Sequence, residues 1–273
     1  MFVYTFWEPS DKIPWYLQMC METWKKYLPN ATIVVLDYKN ISDFLDICDF
    51  NLNLFSGRFS LPIIADAIRV ALLAKHGGVW VDVDTIVLNS SAERYFLPDD
   101  KHRTCFFGYR ICFINTPPGA TLMRLWLDYI REKIWNLTPE TQITWDFLGN
   151  KFVNPYLGKY REEVNIFDVN PTLPEQKLYA QLGNSIKAYV EFYFNQNLHL
   201  ADMNTDLLLL HNSWTPADFK KFSPQEVLNC DCTMSNILME ALNITPPPYK
   251  SFTLCRYAQK INFGCRKKKV LLD

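Results

Sequence analysis

The sequence predicts an α/β fold with a mixed, mainly parallel sheet flanked by helices. The β-branched and aromatic segment Phe2 to Trp7 reads as a first strand, and Trp15, Met19 and Trp24 follow near helical spacing. The apolar stretch ATIVVLD, which ends at Asp37, reads as a second strand. A strand, a helix and a strand in quick succession are typical of a βαβ unit and a parallel sheet.

A second helix and strand follow, and their ends are marked by local signals. Ser60 is a typical N-cap and Pro62 is tolerated in the first turn, so we expect a helix from about Leu61 to Lys75. The Gly77-Gly78 pair supplies its stop. The stretch VWVDVDTIVL then reads as one continuous strand.

Later segments extend the same architecture. TCFFGYRICFINT predicts one or two strands, Thr121 to Trp135 predicts an amphipathic helix, and VNIFDV and DLLLLHN predict further strands. From Thr215 onward we expect short helices and turns. No clean linker is present, so we predict one domain over residues 1–273, with 215–273 as a mostly helical C-terminal extension.

Composition excludes several classes of function. A formal net charge of −1 gives no global field for nucleic acid, so no nucleic-acid partner is expected. No apolar run approaches the roughly 20 residues of a membrane span. The N-terminus lacks the features of a signal peptide. The 8 cysteines show no zinc spacing and favour reduced thiols, so we expect a cytoplasmic protein.

Two carboxylates close to each other are the main chemical signal. If the strand is regular, Asp82 and Asp84 point to the same face, about 6.6 Å apart. Paired carboxylates are costly to bury, and a divalent cation such as Mn²⁺ or Mg²⁺ offsets that cost. In the alternative interpretation the strand simply ends here and both aspartates lie in water.

A charged pair on an otherwise apolar helix is the second signal. Asp66 and Arg69 lie at i and i+3 and therefore share one helix face. One interpretation is a structural salt bridge between them. The other is that both side chains project toward the same cleft as Asp82.

The segment ADAIRVALLAKHGGVWVDVDTIVL resembles the shared block of DXD-type sugar transferases: capsular-polysaccharide glycosyltransferases, mannosyltransferases of glycosyltransferase family 32 and, more distantly, large glucosylating toxins. Their block reads S-D-x-x-R, an apolar helix and G-G-[VI]-Y-x-D-x-D. The chain matches it at positions that include both aspartates, and it departs at Ala65 (usually Ser) and Trp80 (commonly Tyr). The match covers about 25 residues.

This resemblance implies a GT-A fold and a retaining hexosyltransferase that acts in surface polysaccharide synthesis. The implied donor is a UDP- or GDP-sugar, and the implied acceptor is a hydroxyl of a glycan or a lipid-linked glycan. Asp84 and Asp82 would hold Mn²⁺ or Mg²⁺ with His211, whose neutral imidazole can ligate it. Asp66 and Arg69, with Asp82, would bind the donor and orient the sugar.

Weaker matches add further candidates for donor binding. YTFWEP resembles the family's first strand, whose Trp stacks on the base, which makes Trp7 the candidate; a core Trp is the alternative. ICFINTPPG resembles a segment near the sugar and suggests Asn115. LLLLHNSWTP resembles the family's His-containing segment, in which Ser213 and Trp214 could donate hydrogen bonds to the diphosphate.

Two alternatives compete with the transferase. A haloacid-dehalogenase-type phosphatase would use Asp82 as nucleophile and Asp84 as general acid, but that family places this strand near its N-terminus. A non-catalytic nucleotide-sugar-binding module is the other alternative. No general base, nucleophile, donor sugar or linkage can be named from the residues.

The last segment, Tyr249 to Asp273, is strongly basic. Its cations are Lys250, Arg256, Lys260, Arg266, Lys267, Lys268 and Lys269. Aromatic and aliphatic residues alternate with them, so the tail fits peripheral contact with an anionic inner membrane face and a lipid-linked acceptor. A solvated tail is the alternative interpretation.

Overall fold

The computed structural model describes residues 1–46, 54 and 57–245. The strands in the described residues are β1 (Phe2–Phe6), β2 (Thr32–Leu36), β3 (Gly78–Val81), β4 (Thr85–Val87), β5 (Thr104–Phe107), β6 (Arg110–Thr116), β7 (Val164–Phe167) and β8 (Leu207–Leu209). The α-helices are α1 (Trp15–Tyr27), α2 (Leu61–His76), α3 (Glu93–Phe96), α4 (Thr121–Trp135), α5 (Asn150–Lys159), α6 (Gln176–Leu182), α7 (Ser185–Val190), α8 (Pro224–Asn229) and α9 (Thr233–Leu242).

A six-stranded sheet forms the centre of the described structure, in the order β2-β1-β3-β6-β5-β7. The pairs β1–β2, β1–β3 and β5–β7 are parallel, and β6 runs antiparallel to both of its neighbours. The prediction of a mixed, mainly parallel α/β sheet is therefore confirmed. β1 and β3 both end at the same edge of the sheet, and this edge bears the candidate site.

Apolar side chains of the sheet point to both of its faces, and helices cover each face. Val79 and Val81 of β3 pack into a core that includes residues of α1 and α9. Trp80, between them, packs into a second core with α2 and α4. A strand buried on both faces is apolar throughout rather than alternating, which is the composition of β3.

The end of α2 explains why the chain places glycines there. Gly77 has a φ of 63°, and a Cβ atom at this position would lie 2.4 Å from the backbone nitrogen of Pro118. Both the backbone conformation and the close approach of the β6–α4 loop therefore require glycine. Ser60 precedes α2 in an extended conformation, as an N-cap does, but its side chain makes no capping hydrogen bond.

The prediction of one continuous strand through VWVDVDTIVL is wrong. β3 ends at Val81, the chain turns over residues 82–84, and β4 begins at Thr85. β4 pairs with β8 in a separate antiparallel two-stranded sheet. The β8 segment was predicted as a strand, but its partner could not be read from the sequence.

Residues 215–245 contain the helices α8 and α9, joined by turns. α9 packs on α1, where Lys26 Nζ and Tyr27 OH both donate to the carbonyl oxygen of Ala241, at 2.6 and 2.7 Å. Residues 215–245 thus share a core with the first helix. The basic segment 249–273 lies outside the described residues, so the predicted membrane contact stays a prediction.

Two further observations concern the described residues only. None of their helices has the length and apolar character needed to cross a membrane. The five cysteines in the described ranges are free thiols.

Candidate active site

The two aspartates of the DXD motif lie in the turn that follows β3. The N–H of Asp82 donates to the carbonyl oxygen of Cys112 on β6 (2.8 Å), and the N–H of Thr85 closes the turn onto the carbonyl oxygen of Asp82 (3.1 Å). Strand alternation therefore does not explain why the two carboxylates are close. The turn brings them together instead, at the carboxyl edge of β1 and β3.

Arg69 connects the acidic residue of α2 with the first aspartate of the motif. Its Nη1 lies 3.0 Å from Oδ1 of Asp66, and its Nη2 lies 2.7 Å from Oδ1 of Asp82. Nε1 of Trp80 donates to the same Asp82 oxygen at 2.8 Å. The guanidinium also lies 4.9 Å from the centre of the Trp80 ring, within cation–π range. The two interpretations of the Asp66–Arg69 pair are thus combined: the salt bridge exists, and it extends to Asp82.

Burial makes this ion-pair network energetically important. Asp66 is 8% exposed and Arg69 is 3% exposed, whereas the side chain of Asp82 is 35% exposed. Burial raises the pKa of Asp66 to about 7, although the charge of Arg69 opposes that rise. The network therefore fixes Asp82 on one side and leaves its other side open to a ligand.

Gly149 closes the space behind Asp66. An ideal Cβ atom at Gly149 would lie 2.7 Å from Oδ2 of Asp66 and 3.0 Å from Cδ1 of Ile111. The loop that precedes α5 therefore lies so close to this carboxylate that glycine is the residue that fits. Any larger residue at position 149 would displace the Asp66 side chain.

Asp84 is held by the segment that follows β8. Its Oδ2 accepts the N–H of Asn212 at 2.5 Å, and its carbonyl oxygen accepts the N–H of Leu210 at 3.2 Å. Antiparallel pairing explains this contact, because the end of β8 lies beside the start of β4. Burial, followed by the nearby charge of Asp82, raises the pKa of Asp84 to about 7.

His211 lies between Leu210 and Asn212, which both donate N–H groups to Asp84, but its ring is committed to protein contacts. Nε2 lies 3.0 Å from Nη1 of Arg110, and the ring stacks on Trp214 with 3.8 Å between centroids. Burial, assisted by the charge of Arg110, lowers the pKa of His211 to about 3, so the imidazole is neutral. Ser213 follows in the same turn and is exposed.

The structure places the two remaining candidates differently. Trp7 directly follows β1, is half-buried, and lies at the carboxyl edge that bears Asp82. Asn115 lies further back on β6, paired with Val79, and its amide donates to the backbone carbonyls of Tyr95 and Leu97 at 3.0 and 2.6 Å. The structure therefore does not bring Asn115 to the carboxylates.

The carboxylates of Asp82 and Asp84 are oxygen ligands of the kind that a divalent cation such as Mn²⁺ or Mg²⁺ binds. Burial is the main cause of the raised pKa of Asp84 and the charge of Asp82 adds to it, so a cation held by both carboxylates would offset both effects. Over the described ranges, no group of three or more His, Cys, Asp or Glu side chains is arranged to hold a metal ion. His211 is not a third ligand in this conformation, because Arg110 occupies its Nε2.

Several residues at the site were not predicted. Trp80 was noted only as a departure from Tyr, yet its indole N–H holds Asp82. Arg110 is the one charge within FFGYRICFINT, which is a usable signal because a cation in an apolar hairpin needs a partner. Asn212 and Gly149 act through the backbone or through the absence of a side chain, and no sequence signal marked them.

The family can be assigned at this point. A family model described as capsular polysaccharide synthesis protein matches residues 2–200, which include β1, the Asp66–Arg69 helix and the DXD turn. The chain belongs to this family. No curated protein matches the chain significantly. Among solved structures it is similar to the PaToxG glycosyltransferase, with a TM-score of 0.42 and 13% identity over 87% of this chain and 85% of that chain.

Proposed function

We propose that this member of the capsular polysaccharide synthesis family is a metal-dependent, retaining glycosyltransferase with a GT-A fold. It moves a sugar from a UDP- or GDP-sugar to a hydroxyl of a glycan or lipid-linked glycan. The observation that supports this best is the pair Asp82 and Asp84 at the carboxyl edge of the parallel strands. Ligands in open α/β sheets bind at that edge.

Asp82 and Asp84 are held by different neighbours, and we therefore expect them to have different roles. Asp82 is held by Arg69 and Trp80 through one oxygen, so its other oxygen can face a cation or the donor ribose. Asp84 is held by the Asn212 backbone and is nearly buried. When bound, Mn²⁺ or Mg²⁺ would neutralise the negative charge that develops on the departing diphosphate.

The remaining residues would position the donor. Trp7 lies at the edge where a base could stack on its ring. Ser213, which is exposed, and Trp214 lie in the turn after β8, where both could donate hydrogen bonds to the diphosphate. Asp66, which Arg69 holds together with Asp82, would accept a hydrogen bond from a sugar hydroxyl and so orient the sugar.

The proposed sugar transfer needs no oxidant or reductant. The bond between the anomeric carbon and the phosphate oxygen breaks, and its electron pair leaves with the diphosphate. A bond forms between the anomeric carbon and the acceptor oxygen, and the acceptor hydroxyl releases its proton to solvent. The chain's own side chains bind the donor and orient its sugar for this exchange.

A panel of UDP- and GDP-sugars tests the proposal without knowledge of the acceptor. Slow sugar release in the presence of Mn²⁺, lost on chelation and in Asp84→Asn but kept in Asp128→Asn, supports the transferase. Asp128 is a matched control because it lies exposed on α4, in an ion pair with Arg131. Release of phosphate from a generic aryl phosphate would indicate the phosphatase instead. Donor binding without hydrolysis or transfer would indicate a binding module.

A further inference from the structure

Arg110 is placed at the site by the β5–β6 hairpin. β6 starts at Arg110 and runs antiparallel to β3, and the carbonyl of Cys112, two residues later, accepts the N–H of Asp82. The hairpin turns at Gly108, which has a φ of 55°. The guanidinium is thereby carried to the edge where the DXD turn and the β8 segment meet.

The partner of this guanidinium is a neutral group. A guanidinium can only donate hydrogen bonds, so Nε2 of His211 accepts from Nη1 and the ring proton sits on Nδ1. None of the ion pairs found within the described ranges includes Arg110. The Arg110 guanidinium is thus hydrogen-bonded to an uncharged acceptor and not to a carboxylate.

Arg69 and Arg103 show how different this environment is. Arg69 is committed to two carboxylates, and Arg103 makes two hydrogen bonds to Asp99, at 2.9 and 2.8 Å. Arg110 is half-buried rather than buried, so the guanidinium can still reach a ligand. A guanidinium without an ion-pair partner, next to the segment that holds Asp84, is suited to bind an anionic ligand.

Backbone contacts place Arg110 next to the DXD turn. Its partner His211 lies between Leu210 and Asn212, whose N–H groups donate to the carbonyl oxygen and to Oδ2 of Asp84. The Arg110 guanidinium therefore lies close to the place where the donor phosphates would meet the two aspartates.

We propose that Arg110 binds the diphosphate of the nucleotide-sugar donor, with its guanidinium turning from His211 Nε2 to the phosphate oxygens. This inference rests on the proposed function. Arginine suits the task because its planar fork of N–H donors matches two phosphate oxygens at once. The same movement would release Nε2 of His211, which could then serve with Asp82 and Asp84 as a ligand of a divalent cation.

Calorimetric binding of UDP, GDP and the matching nucleosides in Mn²⁺ tests this role. Arg110→Gln should weaken binding of the nucleoside diphosphate roughly 10- to 100-fold, the effect of one lost charged hydrogen-bonding partner. Binding of the nucleoside should not change. Arg110→Lys should restore part of the loss, since it keeps the charge without the fork. Arg124→Gln, an exposed arginine on α4, is the matched control and should bind like the wild type.

Each other outcome has a defined meaning. Equal diphosphate affinity of Arg110→Gln and wild type overturns this inference and leaves the proposed function standing. Equal weakening of nucleoside and diphosphate binding also overturns it, since Arg110 would then act only through the fold. Wild-type protein that binds neither UDP nor GDP in Mn²⁺ overturns the proposed function and this inference together.

Discussion

Nη2 of Arg69, in the middle of an apolar helix, lies 2.7 Å from Oδ1 of Asp82, 13 residues later in the chain. The same guanidinium holds Asp66 on its other side. One buried cation thus connects helix α2 to the turn after β3. The position of the partly exposed Asp82 carboxylate depends on this connection.

Removal of the guanidinium should destabilise the fold strongly. Arg69→Met leaves Asp66 and Asp82 without their cation, so we expect a loss of about 3–5 kcal/mol in the free energy of unfolding. Chemical denaturation measures it. The matched control is Lys25→Met, which breaks an exposed pair with Glu22 at the same i, i+3 spacing and should cost less than about 0.5 kcal/mol. Similar losses in both variants would contradict the importance of the buried network.

Addition of one methyl group at Gly149 should displace Asp66. Gly149→Ala puts a carbon 2.7 Å from Oδ2 of Asp66, and we expect a cost of about 1–3 kcal/mol from overpacking, with weaker donor binding. Gly158→Ala, where no atom lies within 4 Å of the added carbon, should match or exceed wild-type stability. Thermal unfolding and UDP titration compare the two variants, and wild-type behaviour of Gly149→Ala would contradict the close packing.

Stability should depend on pH through Asp84. Its pKa is about 7 in the folded chain, against about 3.9 for an unperturbed aspartate, so the folded state binds this proton more tightly. The resulting contribution is fully present below about pH 4 and is lost as the pH rises through about 7. The difference in Tm between wild type and Asp84→Asn should therefore shift against the wild type from pH 5 to pH 8.

The comparison of wild type with Asp84→Asn removes the effects of other titrating groups on the pH dependence of Tm. His211, whose pKa is lowered, contributes in the opposite direction, because its folded form binds the proton less tightly than the unfolded chain. That contribution is present in both proteins and largely cancels. Parallel Tm curves of wild type and Asp84→Asn across this pH range would show that Asp84 is not buried as described.

The elements with local signals could be predicted from the sequence. Helix α2 spans Leu61–His76, and its bounds follow from the Ser60-Leu61-Pro62 start, the apolar helical stretch and the glycine with a positive φ at position 77. The α4 range Thr121–Trp135 was predicted to the residue from its amphipathic periodicity. No element was predicted at α5, which contains Pro155 and whose apolar residues Phe152, Val153 and Leu157 are buried.

The parts of the site that were missed depend on contacts between distant segments. The alternation of VWVDVDTIVL is the same for one strand as for two strands with a turn at Asp82, and only the pairing of β4 with β8 distinguishes them. The contact between Arg110 and His211 joins residues 101 positions apart. Sequence patterns report which side chains share an element, and they do not report which elements meet.

The binding of Mn²⁺, followed by electron paramagnetic resonance with and without UDP or GDP, tests the role of the two aspartates most directly. We expect that wild-type protein removes the signal of free Mn²⁺ and that a nucleoside diphosphate tightens this binding. Asp82→Asn and Asp84→Asn should abolish it, and Asp128→Asn should not. If the wild type and the Asp84→Asn variant bind Mn²⁺ equally in the presence of either nucleotide, the two aspartates are not the metal site.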